Sequence, residues 1–269
     1  MEVKKVVKIF PVFLLAFLLF APTLSAQGHF EVGFHYGKWS INLLKSLIEE
    51  GISDAFNNQI VEMIQDEHPD LEDIDYTFDV DFDSSGSNYG FEVRWYPGGE
   101  NGSFSLGLSV EKTSMTVELP EVSASIEFTE NANFQGNANG KFVINPLSFH
   151  LSFRWDILPS SRVHPYITFG FGAATGTALE EAEFSYYFSG DLDIEGEELE
   201  HFEEEDSKTL EELKEELEDE GEEFFLPGFI PFIQLNLGLK AEITENLHLL
   251  VDAGVWDGFL IRGGLAFRF

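Results

Sequence analysis

From Phe30 to the final Phe269 the chain returns again and again to one pattern, an apolar residue followed by a polar or small one. In the last such run Phe259, Ile261, Gly263, Leu265, Phe267 and Phe269 fall on one side, and Leu260, Arg262, Gly264, Ala266 and Arg268 on the other. Successive side chains of a β-strand point to opposite faces, so this spacing predicts a strand with a greasy face and a face carrying two arginines. The same alternation predicts strands over 30–36, 89–96, 104–111, 147–155, 167–173, 233–242 and 247–255. The polar side of these runs is rich in Gly and Ser with scattered ions of both signs, whereas a water-facing sheet favours Lys, Glu and Thr. No charge falls on the apolar side, where an Arg or Lys facing mid-bilayer hydrocarbon would cost roughly 2–4 kcal/mol. The pattern therefore predicts an all-β fold, a transmembrane antiparallel up-and-down β-barrel of eight strands, since a closed sheet satisfies every backbone polar group in lipid.

The links between these runs alternate in length. Residues 97–102, 158–163 and 243–246 are short connections, whereas about 39–87, 117–142 and 179–228 are long, and 256–258 is tight. Short inner turns and longer outside loops are the habit of such barrels. Two further alternating stretches, Tyr76 to Phe82 and Val122 to Phe128, would raise the count to ten. We read them as strand extensions above the membrane, because Asp75, Asp79, Asp81 and Asp83 crowd one face too densely for a narrow lumen.

On the inward side of the eight strands lie Glu31, Glu92, Glu111, Glu242 and Asp252, facing Arg94, Arg154, Lys240, Arg262 and Arg268, with His35, His150 and His248 among them. Eight strands enclose a space about wide enough for side chains to fill. A balanced set of charges predicts a polar plug, because each buried ion then has a partner. A gated conduit is the competing expectation.

Charge and composition then refine the picture. The formal net charge is −34, and most of it lies in two of the long links: 22 acids against Lys208 and Lys214 in 180–223, and 13 acids against Lys45 in 40–86. Such an acidic surface excludes nucleic acid as a partner and predicts diffuse binding of divalent cations. Asp79-x-Asp81-x-Asp83 resembles the start of a calcium loop but lacks the Gly and Glu that the pattern requires. Ser207 is expected to cap a helix over Leu210, Leu213 and Leu217, with Lys208 paired to Glu212. Like charge at this density otherwise favours disorder. Apolar stripes at helical spacing, Ile41, Leu44, Leu47 and Ile48, then Ala55, Phe56, Ile60, Val61 and Ile64, are expected to pack against the barrel rim, with the membrane surface or a partner as the alternatives. Absence of cysteine removes disulfides, thiolate metal sites and a lipid-modified cysteine anchor. At the N-terminus, Lys4, Lys5 and Lys8, the apolar run from Ile9 to Phe20, and Leu24-Ser25-Ala26 read as a signal peptide cleaved after Ala26, leaving the barrel domain in 27–269.

Arg262, Gly264, Phe267 and Phe269 fit the polar-x-Gly-x-x-aromatic-x-aromatic assembly signal of bacterial outer-membrane barrels, and the chain resembles the small eight-stranded barrels of the OmpA, OmpX and OmpW type. The resemblance implies residence in the bacterial outer membrane, contact with its lipid and with the barrel-assembly machinery, and no cofactor. Members of that group include structural, adhesive and small-solute proteins. The role expected here is non-enzymatic: a surface barrel whose acidic loops meet cations or an envelope or extracellular partner, with a narrow channel for small hydrophobic or cationic solutes as the alternative. His150-Leu151-Ser152 resembles the His-x-Ser of the lipid A deacylase barrels, but Phe153 stands where that motif has Asn. No acid between Asp156 and Leu179 could orient the histidine.

Overall fold

A computed structural model describes residues 28–56, 75–99, 102–129, 132–194, 199–220, 225–256 and 258–269. Eight of its strands close into a ring, in which each neighbour is antiparallel. Going round, β1 (His29–Ser40) pairs with β2 (Asp75–Tyr96), β2 with β3 (Phe104–Thr129), and β3 with β5 (Leu147–Asp156). Next come β6 (Val163–Thr175), β9 (Phe229–Glu242), β10 (Leu247–Trp256) and β11 (Phe259–Arg268), which returns to β1. Closure is direct: Phe34 of β1 lies opposite Phe91 on one side and Leu265 on the other. The ring holds the eight strands that the alternation predicts, and the ten-strand count does not apply. Tyr76 to Phe82 and the stretch after Val122 extend β2 and β3 beyond it.

The long links differ from expectation. Much of 117–142 and 179–228 is sheet, built as β4 (Ala132–Ile144), β7 (Glu183–Ile194) and β8 (Glu200–Thr209). β3 continues past the ring and turns back into β4. β4 and β5 keep one register against β3, with Met115 opposite Ile144 and Lys112 opposite Leu147. Only Asn145-Pro146 separates them, and proline lacks the N–H that a continuous ladder needs. β7 then pairs with β4, and β8 with β7. The upper parts of β2 and β3 with β4, β7 and β8 thus form a five-stranded canopy at the end of the barrel opposite the short turns.

The sheet exchanges the chemistry of its faces as it leaves the ring. Along β2 the inward positions run Arg94, Glu92, Gly90 and Asn88, then Phe82, Val80, Phe78 and Tyr76. The outward positions run Trp95, Val93, Phe91 and Tyr89, then Ser85, Asp83, Asp81 and Asp79. The outer face is apolar around the ring and acidic above it, while the inner face changes from ionic to aromatic. The aspartates that resemble a calcium loop are therefore one face of a strand. In β3 a bulge between Leu119 and Val122 shifts the phase, so that Val122, Ala124 and Ile126 join the inner face opposite Val80, Phe78 and Tyr76.

Among the described residues three helices decorate the canopy end: α1 (Lys45–Phe56) after a short 3-10 turn at Asn42–Leu44, α2 (Thr177–Glu180) and α3 (Leu210–Glu220). The cap of α3 is Thr209, not Ser207. Thr209 Oγ1 accepts from the Glu212 amide at 3.2 Å, and Glu212 returns to the Thr209 amide at 2.8 Å. This reciprocal pairing satisfies two donors at the helix start. It also takes Glu212 away from Lys208, which bonds Asp206 and Glu216 instead. Of the first apolar stripe only Ile41 packs into the buried apolar layer; Leu44 and Leu47 are exposed. The expected signal peptide with its cleavage at Ala26, the side chain of Phe56, and Ile60, Val61 and Ile64 lie outside the described residues.

Candidate functional site: the charged interior

Inward-facing positions converge on the barrel axis, and that parity alone collects residues far apart in sequence. Near the short-turn end, Glu31 of β1 binds Lys240 of β9, and it lies 3.4 Å from Arg154 Nη1 and 3.3 Å from Arg268 Nη2. Tyr96 stands in the same layer, its ring 4.0 Å from the Arg268 guanidinium and its hydroxyl 3.1 Å from Lys240 Nζ. In the middle, Arg94 clasps Glu92 through Nε and Nη2 at 2.8 and 2.7 Å, and Arg154 reaches the same carboxylate at 3.4 Å. Asp252 accepts from Arg262 Nε at 2.9 Å, Tyr166 at 2.7 Å and Asn236 at 2.7 Å. Towards the canopy, Glu111 meets Arg262 at 3.6 Å, His35 at 3.3 Å and Asn88 at 3.0 Å. Arg154 joins Glu31 to Glu92 and Arg262 joins Asp252 to Glu111; the two groups meet where the Arg154 guanidinium lies 4.5 Å over the ring of Tyr166, whose hydroxyl donates to Asp252. Small residues make the space it needs. A Cβ on Gly107 would sit 2.6 Å from Arg94 Nη2, and Gly238 lies beneath the Tyr166 ring.

Nine of the ten charged residues singled out by alternation take part. Glu242 does not: it has the right parity but stands exposed at the mouth, one step beyond the end of the packed lumen. Asp156 fills the tally in its place. Buried at the last position of β5, it lies 3.8 Å from His164 Nε2. Parity was its signal, since it follows the outward Trp155. His150 and His248 are buried inside as expected, and His35 is half-buried. His150 Nε2 pairs with Ser148 Oγ at 2.6 Å, while Ser152 Oγ accepts from Arg94 at 2.7 Å, so the His-x-Ser pair is not assembled as base and nucleophile. In the assembly signal, Arg262 joins the network and Phe267 and Phe269 are exposed on the outer face.

Above the ions, Trp39, Met115, Ile144, Ala174, Phe232 and Leu260, contributed by six different strands, form a buried apolar layer across the canopy-side mouth. Beneath it, a cavity of about 20 Å³ lies against Glu31, Glu92, Arg154, Asp252 and Arg262, room for roughly one water molecule.

Burial in this molecule is the reverse of a water-soluble fold. Arg94 is fully buried while Leu237 is 62 % exposed and Ile261 66 %. With a rise of about 3.4 Å per residue and a tilt of about 40°, the outward apolar run from Leu147 to Ile157 spans about 26 Å, close to the roughly 25 Å apolar band of barrels that cross a bilayer. The chain is a transmembrane β-barrel.

Comparison with known proteins adds little to this. No family model matches the chain, and no curated protein matches it. Among solved structures it is similar to the N-terminal β-barrel domain of Pseudomonas aeruginosa OprF, at 12% identity over 90% of this chain and 98% of that one, with a TM-score of 0.27. It is also similar to the translocator domain of the autotransporter NalP from Neisseria meningitidis, at 9% identity over 99% and 98%, TM-score 0.25, and to the KdgM porin, at 13% identity over 73% and 98%, TM-score 0.20. These neighbours are outer-membrane β-barrel proteins. Scores at this level leave the fold to rest on the chain's own hydrogen-bonded ring and its inverted burial.

Proposed function

We propose that the protein is a non-enzymatic, closed barrel of the bacterial outer membrane whose task is to hold an acidic sheet away from the bilayer, facing outward. The observation that carries this reading is the filled interior: two groups of buried ion pairs, bridged through Tyr166 and capped by an apolar layer. Ions crossing such a lumen would have to break several buried pairs, each costly to separate. The reading is tested by planar-bilayer recording of the purified protein, expected to be silent. Large steady conductance overturns it in favour of a channel.

The canopy supplies the working surface. Its outer face carries Asp79, Asp81 and Asp83 on β2, Asp191 on β7, and Glu203 and Glu205 on β8, all exposed. Carboxylates so arranged attract divalent cations without a dedicated cage, and through them an anionic envelope layer or outside partner. Calorimetric titration with calcium should show weak uptake at low ionic strength that fades as salt screens the field. No uptake even at low salt would remove the cation role.

A further inference from the structure

Leu43, Leu44 and Leu47, at the start of the first helical segment, are 74 %, 42 % and 65 % exposed. The polar residues around them fasten the segment in place. Asn42 Nδ2 donates to Asp83 at 2.6 Å, Asn42 Oδ1 accepts from the Ser84 amide at 2.7 Å, Lys45 pairs with Asp81, and Glu49 accepts from the Phe82 amide at 3.0 Å. These bonds cover the β2 edge that β1 leaves unpaired after Trp39. The docking is polar, so the three leucines gain nothing from it.

Their position gives them another partner. The segment begins two residues after Ser40, whose register partner is the outward Phe259, and four after Lys38, which lies opposite Ile261 in the lipid-facing belt. Lys38 itself stands over the Tyr36 ring, 5.8 Å from its centroid. An outward tyrosine and lysine at one level mark a membrane–water boundary. Leu43, Leu44 and Leu47 follow five to nine residues beyond Lys38 along the chain, exposed on the canopy side of that boundary.

Resting on the transmembrane reading above, the geometry points to an interfacial anchor: these three leucines sit in the boundary of the canopy-side leaflet. The contact is confined to the first turn. Glu50 and Asp54 recur on the same stripe one and two turns later and are exposed, so the helix rises out of the lipid as it proceeds. A second copy of this chain is a poorer occupant, because the surrounding acids would repel their equivalents.

The natural chain has no cysteine, which makes the test direct. Single-cysteine variants Leu47→Cys, Asp54→Cys, Leu237→Cys and Glu203→Cys of the full chain, labelled with an environment-sensitive fluorophore, are placed in phosphatidylcholine–phosphatidylglycerol vesicles. Some vesicles carry a lipid spin label near the headgroups, others deep in the acyl chains. The Leu47→Cys label should lose most of its emission to the shallow quencher and little to the deep one. The Leu237→Cys label should lose it to the deep one, and the Asp54→Cys and Glu203→Cys labels should keep theirs. If Leu47→Cys behaves like Glu203→Cys while Leu237→Cys is quenched, the anchor is wrong and the barrel stands. If Leu237→Cys also escapes quenching, the transmembrane reading has failed. Shielding of Leu47→Cys that depends on protein concentration and not on lipid would assign the patch to self-association and overturn the anchor.

Discussion

Glu31 is the most heavily engaged acid in the lumen, with Lys240, Arg154 and Arg268 all pointed at it. Replacing it by Gln leaves three buried cations short of a counter-charge. Breaking a buried pair from one side costs about 3–5 kcal/mol, so Glu31→Gln should lower the temperature at which the barrel loses its compact gel mobility. Glu242→Gln, at the exposed mouth, should stay within about 0.5 kcal/mol of the parent. Equal effects of the two would mean that the network does not hold the lumen together. Steric room matters as much as charge. At Gly238 an added methyl meets the Tyr166 ring, whose hydroxyl is committed to Asp252. Gly238→Ala should destabilise by about 1–3 kcal/mol in a urea titration. Period two was enough to name most of this network from the chain alone. It misjudged only the strand ends, where one step decides between lumen and water: Glu242 falls outside, and Asp156 within.

Among the elements, the helix α3 offers a pH-dependent prediction. The Thr209 amide bonds the Glu212 carboxylate and holds its pKa below the usual value. A depressed carboxylate stabilises the fold above its ordinary pKa, about 4.3, and loses that contribution as pH falls through the lower folded value. Amide protection in the first turn of α3, taken relative to the intrinsic exchange rate at each pH, should therefore fall on acidification, and in Thr209→Ala it should be low already at neutral pH. The ring strands could be read in advance because bulky apolar residues mark every second position. The canopy strands could not. In β4 the inner face is diluted by Gly136, Ala138 and Gly140, β8 is nearly all acid, and the β3 bulge breaks the period between Leu119 and Val122. Phe134 and Phe188 stack across the two central canopy strands, 6.5 Å between centroids, over Gly136 and Gly190. Only once β4 and β7 are paired do those glycines make sense as room for rings.

For the molecule as a whole, the lipid-facing belt sets the terms of insertion. Leu237→Arg puts a charge near its middle, which should cost roughly 2–4 kcal/mol and reduce the folded fraction in vesicles; unchanged folding would contradict the belt. The exchange of faces along β2 has a further mechanical result. The outward Ser87 lies two steps beyond the last outward aromatic, Tyr89, and Asp83 follows two steps beyond Ser85. Pulling the barrel out of the membrane wets a ring of aromatics, a modest loss. Pushing it in by the same distance drives aspartates into hydrocarbon, a severe one. Vertical displacement is thus resisted unevenly, like a float with a rigid collar. In thicker bilayers the surrounding lipid should thin to meet the protein rather than the protein sink to meet the lipid.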